Sequence, residues 1–404
     1  MRRLLLGLVG GLLLMENIRL HREVPRDGAE AVRAVLPQLR WLDRQLDQGA
    51  AEEMQQLFPE GFLFTYALTG LARAELSLQN PDDAALRAEA LASAQRALAA
   101  VRSEDGRAPF SPSLNPPYGA FYAGWSTWLA GSVVALGGQD PGYAAACADI
   151  ADAYSAADNP FLPSYPGQSW PVDSVVAMSA LALCDAQLKQ THRGLILDWV
   201  RRARLRGDPQ TGLLPHTADA ATGAPTSGPR GSSLAMSLRF MHELDREWSA
   251  EQYAGFQQLF VTRRAALPGV LEHIGGGGAG DIDAGPLVLG VSLSASAVAM
   301  GPARLHGDWA LADDLRGAGE ALGLPIELAG QRRYAFGILP VGDAFGAWSL
   351  TARPRVQEPT RATPTQLGGW RWVWHLASLA LFGVLSLLGR PQNTSRRPKV
   401  FVPR

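Results

Sequence analysis

Three carboxylates stand out by their setting: Asp173 in Trp170-Pro171-Val172-Asp173-Ser174, Asp283 in Asp281-Ile282-Asp283-Ala284-Gly285-Pro286, and Glu60 in Phe58-Pro59-Glu60-Gly61-Phe62. Each lies in a turn marked by proline or glycine, ahead of an apolar stretch. Breaking a carbon–oxygen bond needs a proton donor for the leaving oxygen and a second carboxylate, base or nucleophile, on the other side. Asp173 and Asp283 are the expected catalytic pair, with Glu60 as an alternative acid. A helix N-terminus lowers a carboxylate's pKa and favours the ionised base. An acid in such a place needs burial, here against Trp170 or Trp125.

Other residues in or beside the same turns suit binding. Tyr118, Tyr122, Trp125, Tyr165 and Trp170 supply rings, and a funnel of rings and carboxylates fits sugars or other hydroxylated ligands. Arg230, in Gly228-Pro229-Arg230-Gly231-Ser232-Ser233, could clamp a carboxylate, phosphate or sulfate, or pair with a nearby aspartate. His216 could be a general base or a plain loop histidine. Asp281 and Asp343 complete the expected binding set. Helix capping explains any one aspartate simply, but not the aromatic company.

Other chemistries lack support. A calcium on Asp281 and Asp283 is conceivable, yet that alternation suits a cap plus an interhelical bond equally well. His21, His192, His242, His273 and His306 form no metal-ligand spacing, so neither metal nor cofactor is expected. Cys147 and Cys184, the two cysteines, are too few for a zinc site or a disulfide framework and read as buried structural residues. Gly275 to Gly278 with Gly280 follows no strand and precedes no Lys-Ser/Thr, so it reads as a lip, a lid or a connector, not a phosphate loop. Gly-x-Ser-x-Gly is absent, and Ser174, Ser232 and Ser294 have no neighbouring base, which argues against a serine hydrolase.

Apolar residues recur every three or four positions in Ala84–Val101, Tyr143–Tyr154, Val175–Gln187, Leu195–Arg206 and Gln252–Thr262, the period of helices. Strand patterns are scarce, with one possible hairpin near Gly212–Gly223. An all-α fold is expected. Glu60, Tyr118, Asp173, Arg230, Asp283 and Asp343 are separated by 58, 55, 57, 53 and 60 residues. Each precedes an apolar helix that is followed by a second helix, a helical-hairpin unit repeated six times. The sixth unit lacks its second helix, and Ala29–Leu46 is an orphan at the start. If the orphan completes the last pair, the chain closes an (α/α)6 toroid with all six marked residues around one mouth.

The ends suggest a membrane. Arg2-Arg3 precede roughly twelve apolar residues, a signal-like or anchor segment over 1–15 that falls short of a full span. The toroid is expected over 27–352 and a Pro/Thr-rich linker over 353–368. Trp370, Trp372 and Trp374 then open a transmembrane helix over 369–390. The basic tail, 391–404, should lie in the cytoplasm and the main domain outside it. The 404 residues carry 37 basic and 38 acidic side chains, a net charge of −1, so no field gathers nucleic acid and none is expected as a partner. With 47% hydrophobic and 19% charged residues, disordered and fibrous classes are excluded.

Asn159-Pro160-Phe161, Trp170 to Leu188, Asp208-Pro209-Gln210-Thr211-Gly212-Leu213 with Thr222-Gly223, and Ala250 to Val261 resemble the linalool dehydratase/isomerase family in order and spacing. So do Asp281 to Gly285 and Arg304-Leu305-His306-Gly307-Asp308. The likeness runs from Phe121 to Leu322 and implies an (α/α)6 barrel. The family's two cysteines and histidine, which serve dehydration of a terpene alcohol, would fall near Tyr165, Asp173 and Trp125. None is retained, so the fold carries over and the reaction does not.

The combined expectation is a membrane-anchored envelope enzyme of glycosidase, lyase or dehydratase/isomerase type, acting on a carbon–oxygen bond of a saccharide or glycolipid. Its partners are a small-molecule or glycan substrate and the membrane. One alternative is a hydratase or dehydratase-isomerase on an isoprenoid alcohol. The other is a non-catalytic glycan-binding or scaffold module in which the carboxylates only cap helices.

Overall fold

The computed structural model describes residues 2–388, so the basic tail lies outside the described residues. The chain opens with α1 (Arg2–Arg19), α2 (Gly28–Asp47), α3 (Ala50–Leu57), α4 (Gly61–Leu78), α5 (Ala84–Val101) and α6 (Glu104–Arg107). Then come α7 (Gly119–Ala135), α8 (Tyr143–Ala156), α9 (Pro171–Leu188), α10 (Arg193–Arg204), α11 (Gly231–Met241) and α12 (Arg246–Leu259). The last are α13 (Leu293–Leu305), α14 (Trp309–Leu322), α15 (Pro340–Leu350) and α16 (Trp370–Leu388). The protein is predominantly helical, as the three-and-four periodicity requires.

Six short strands depart from that expectation. β1 (Val261–Arg264), β2 (Leu267–Leu271), β3 (Leu287–Val288) and β4 (Val291–Ser292) form an antiparallel sheet in the order β1-β2-β4-β3, while β5 (Ile326–Leu328) and β6 (Gln331–Arg333) form a separate hairpin. The hairpins turn at Ala265-Ala266, Leu289-Gly290 and Ala329-Gly330, all at positive φ, the turn geometry that matches strand twist. Two alanines there carry no turn signal in the sequence, which is why strand reading missed the sheet. The expected hairpin near Gly212–Gly223 is absent as a strand pair: Ala218 makes single bridges to Ser169 and Pro225.

Six helices, each apolar nearly all round, contact one another in an unbroken cycle: α4 on α7, α7 on α9, α9 on α11, α11 on α13, α13 on α15, and α15 on α4. Return helices flank them, with α5 on α4, α8 on α7, α10 on α9, α12 on α11 and α14 on α13. The N-terminal α2 lies against α15 and α4 and so flanks the sixth unit. By length and composition α9 is the described helix that suffices to cross a membrane, but it is mostly buried among its neighbours. Cys147 on α8 and Cys184 on α9 are fully buried and joined as a disulfide, a pairing the sequence reading did not assign.

Charge closes the end of the cycle where these helices finish. Arg239, late in α11, donates to Glu75, late in α4, at 2.6 Å, and Thr351 Oγ1 after α15 adds a bond of 3.1 Å to the same carboxylate. Both charged side chains are almost completely buried. Burial raises the Glu75 pKa and lowers that of Arg239, and each partner's charge opposes the shift of the other. Trp348 covers the Arg239 guanidinium at 4.5 Å.

The segment read as a spacer, 353–368, is a strap. Arg355 N and Val356 N each donate to Glu243 at 2.7 Å, Ala362 N to His306 O at 2.8 Å, and Thr365 Oγ1 to Asp308 at 2.6 Å. It delivers the chain to α16, which packs on α1. Phe382 sits over Gly10, His375 Nδ1 lies 2.5 Å from Asn17 Oδ1, and the His21 and His375 rings stack. The foot of this pair rests on α14, where Arg371 donates to Leu20 O at 2.7 Å and to Asp314 at 2.6 Å. Leu4, Leu8, Leu376, Leu379 and Leu387 are more than half exposed along it.

Replacing Glu75 by Ala leaves Arg239 buried without its partner and should destabilise the protein by about 3–5 kcal/mol in urea unfolding. Replacing the pair together, Glu75→Leu with Arg239→Met, should recover most of that loss. A single variant as stable as wild type would remove the pair from any structural role.

Candidate functional site

Five of the six marked residues stand where a helix of the cycle begins. Glu60 and Tyr118 occupy the positions just before α4 and α7, Arg230 the one before α11, and Asp173 and Asp343 the first turns of α9 and α15. Asp283 differs, because the β3–β4 hairpin intervenes before α13, which Ser292 caps. Ser292 Oγ also donates to Ala284 O at 2.7 Å and ties the Asp283 turn to the start of α13.

Capping does not account for these carboxylates. None of α4, α7, α9, α11 and α15 has a side-chain cap, whereas the flanking helices α2, α5, α12 and α14 are capped by Asp27, Asp83, Asp245 and Asp308. Asp173 instead accepts a hydrogen bond from Ser164 Oγ at 2.5 Å. Ser164 is delivered by the loop before α9, which docks on the start of α7: Ala120 N donates to Pro163 O at 3.0 Å. Gly119 makes that docking achievable, because its φ is +87° and a Cβ there would lie 2.5 Å from Ser164 O.

Tyr165, the next residue, donates its hydroxyl to Glu60 Oε1. Burial, then the charges of Glu60, Asp173 and Asp283, raise the Tyr165 pKa far above that of a free phenol, so the hydroxyl stays protonated. Asp173 is buried, and desolvation, with repulsion from Glu60 and Asp283, pushes its pKa up to about 8 despite the opposing Ser164 bond. Asp283 is exposed on its solvent side; the protein packed around its carboxyl, then Asp281 and Glu60, raise it to about 6. Burial therefore wins over the helix N-terminus at Asp173. Near neutral pH Asp173 holds a proton and Asp283 is largely ionised.

A second group continues the arc. Arg230 donates to Asp281 at 2.5 Å and faces Glu272 at 3.5 Å. Gly231 permits this, since its N–H bonds Glu272 O at 2.9 Å and a Cβ would meet Leu271 O at 2.0 Å. Burial opposes the Asp281 charge, but the Arg230 bond prevails and holds its pKa below the usual aspartate range. Arg230 also reaches His216 Nε2 at 3.1 Å, and His216 Nδ1 lies 2.5 Å from Ser233 Oγ. Burial and the Arg230 charge depress the His216 pKa to about 4. The neutral ring accepts at Nε2 and donates from Nδ1 to Ser233. This tautomer orients Ser233 and leaves no nitrogen lone pair for general-base catalysis, the role considered for His216. Arg230, His216 and His273 line a groove of about 560 Å³ beside the arc.

Other predicted residues sit apart. Asp343 is buried, accepts from Gln38 Nε2 at 2.8 Å and from Tyr334 N at 3.1 Å, and burial raises its pKa to about 7. Its bonds join α15 to α2 and the β5–β6 hairpin, not to the other carboxylates. Trp125 is 1% exposed and lies two turns inside α7, against Phe64, Phe240 and Trp348 at centroid distances of 5.2, 5.5 and 5.6 Å. It is thus part of the core beneath the arc, where a sequence argument from helix starts had put it at the rim. Tyr122 is buried as well and takes a 3.1 Å bond from Arg107 Nε, while Arg107 lies over Tyr118 at 5.3 Å. Trp170 meets Tyr165 edge-on at 5.9 Å.

The residues that organise this wall were missed. Phe110 contacts Phe121, Tyr122 and Tyr165 at 5.4–5.6 Å and joins the Tyr118–Tyr122 pair to Tyr165. Phe110, Ser164, Ser233 and Glu272 lie outside the repeating positions, and no spacing marks them. Gly275 and Gly276, read as a lip, are pinned: Arg264 donates to Gly275 O at 2.6 Å, and Gly290 closes on Gly276. Among the described residues no group of three His, Cys, Asp or Glu side chains is set to hold a metal ion. Comparison with protein-family models and with curated proteins finds no match to this chain.

In the unfolded chain Asp173 titrates near 3.8, and in the folded protein near 8. Across that window the folded state holds the extra proton, so this group's stabilising contribution is full at low pH and falls as pH rises. Asp173→Asn should flatten the slope, and the variant should gain on wild type in urea unfolding as pH rises from about 4 to about 8. A difference that stays constant over that range would contradict the assigned burial. Arg230→Ala should raise the His216 pKa, followed by NMR, yet leave it below its ordinary value because burial persists; an unchanged value would exclude the Arg230 contact.

Proposed function

We propose that this chain is a membrane-anchored (α/α)6 enzyme that acts on a carbon–oxygen bond of a saccharide or glycolipid by carboxylate acid/base chemistry. The observation that carries the reading is a buried Asp173, bonded to Ser164 beside the Tyr165–Glu60 hydrogen bond, whose surroundings raise its pKa further than those of Asp283 raise that of Asp283. Two carboxyl groups driven to different protonation states are what an acid and its opposing base require. Asp173 donates the proton to the leaving oxygen. Asp283 acts from the other side as base or nucleophile, Glu60 aligns with Tyr165, and the Arg230–Asp281 pair presents a polar wall to substrate.

The unbroken cycle of helix contacts supports a closed toroid, and so does the resemblance to linalool dehydratase/isomerases over Phe121 to Leu322. For the anchor, support comes from the exposed leucines of α1 and α16, the exposed Trp372 at the foot of α16, and arginines in the sequence at the far ends of both. The Cys147–Cys184 disulfide favours an oxidising compartment for the main domain, outside the cytoplasm.

A second reading, a hydratase or dehydratase-isomerase on an isoprenoid alcohol, is favoured by the aromatic floor of Phe64, Phe121, Trp125 and Phe345 under the carboxylates. The non-catalytic reading, a glycan-binding or scaffold module, would need carboxylates that cap their helices, and these do not.

Turnover of a panel of glycosides, glycolipids and terpene alcohols should identify a substrate class, and Asp173→Asn and Asp283→Asn should each lower kcat about 10²–10⁴-fold on it. Two variants as active as wild type would end the acid/base assignment. A reporter fused before Trp370 should be active only outside the cytoplasm, and cytoplasmic activity there would overturn the topology.

A further inference from the structure

Exposed apolar side chains gather in the stretch that joins α14 to α15. Leu324 and Leu339 are nearly half exposed there, and Leu328, Phe336 and Ile338 are 63 to 76% exposed. A leucine exposed singly needs no explanation, but five such residues within 324–339 do. Phe336 stands at φ +61°, a backbone setting that bulky residues avoid, and its ring faces mostly outward, so core packing does not account for the strain. The turn is fixed by Ala335 N, which donates to Gly323 O at 2.7 Å, and by Gly337 N, which donates to Tyr334 O at 2.7 Å.

This stretch lies at the end of the cycle that bears the carboxylates. α13 and α15 begin there, and α14, which returns against α13, finishes there. The α1–α16 pair leaves the domain at the same end. Followed back from α2 into α1, the chain meets Asp313 at Val24, Gly317 at Leu20 and Pro325 at Arg19, a course that runs along α14 and past its last residue. From the other helix, Trp374 Nε1 donates to Ala266 O in the β1–β2 turn at 2.8 Å. Pro325 adjoins Leu324, so the foot of the pair and the apolar stretch form one continuous rim. Trp372 at that foot is 68% exposed, and indole rings settle at headgroup depth. Exposed Arg22 and Arg263 flank the foot, Arg263 beside Gly368, and suit anionic headgroups.

We infer that this rim is seated in the surface of the lipid bilayer beside the anchor, so that the carboxylate arc faces the membrane and takes a lipid-linked saccharide from it. This rests on the membrane-anchored reading above and narrows its substrate to the glycolipid.

The test uses the full chain in phosphatidylethanolamine/phosphatidylglycerol vesicles. Cys147 and Cys184 are buried in a disulfide, so a single introduced cysteine can carry an environment-sensitive fluorophore. Phe336→Cys and Ile338→Cys place it on the rim, Leu379→Cys on α16, and Thr191→Cys between α9 and α10 at the opposite end of the domain. The rim labels should shift to the blue and lose intensity to lipids bearing a nitroxide near the headgroup, while the label at position 191 should not respond. Quenching at 379 without quenching at 336 and 338 overturns the inference and leaves the anchor standing. No quenching at any of the four removes the anchor and the inference together, and equal quenching at 191 also overturns the inference. On the glycoside and glycolipid panel, Phe336→Ser with Ile338→Ser should lower turnover of vesicle-borne glycolipid about tenfold, leave a soluble glycoside unchanged and keep the melting temperature. Equal turnover of both substrates by variant and wild type overturns the lipid-linked substrate.

Discussion

The buried pair of Glu75 and Arg239 is the constraint on which the rest of the structure depends. The two residues come from α4 and α11, three steps apart in the cycle, and their bond joins those helices near their ends. A charge in this position is tolerated only with its partner in place, so any register shift of either helix exposes a large penalty. Thr351 on the same carboxylate and Trp348 over the guanidinium bring α15 under the same condition. Above the pair, Trp125 and Trp128 meet Phe240 edge to face, and Trp348 lies tilted against Trp125 and Phe240. The opposite ends of these helices carry polar groups bonded to one another.

That opposite end obeys a different rule. Four flanking helices, α2, α5, α12 and α14, satisfy a first N–H group with an aspartate cap, while most helices of the cycle begin without a side-chain cap and their acidic residues bond elsewhere. Asp173 loses solvent and gains like-charged neighbours, which no folding requirement demands and which keep it protonated. The cost is carried by the loop that supplies Ser164 and Tyr165, held by a glycine that alone fits its dihedral and its closeness to the chain.

Much of the helical frame was legible because apolar residues at helical spacing have one economical way to bury their surface. The recurrence of Glu60, Tyr118, Asp173, Arg230 and Asp343 marked helix starts, since proline and glycine end one element and begin the next by simple steric rules, whereas Asp283 precedes the β3–β4 hairpin. The sheet was not legible: Ala265-Ala266 adopts a turn that alanine rarely favours, imposed by β1 pairing with β2. Nor was the strap, because a Pro/Thr-rich composition describes a lack of regular structure and says nothing of the Glu243 and Asp308 carboxylates that fasten it.

By itself the sequence determined the helical class, most of the places where helices begin, and which residue types stand there. These follow from local chemistry: periodicity, chain stiffness and composition. The tertiary structure alone decided that Asp343 faces Gln38 and Tyr334 instead of the other carboxylates, that Trp125 belongs to the core, that Cys147 meets Cys184, and that Tyr165 lies among Glu60, Asp173 and Asp283. Those outcomes depend on distance and desolvation between residues remote in the chain, and electrostatic energy depends on position in space, which no local pattern encodes.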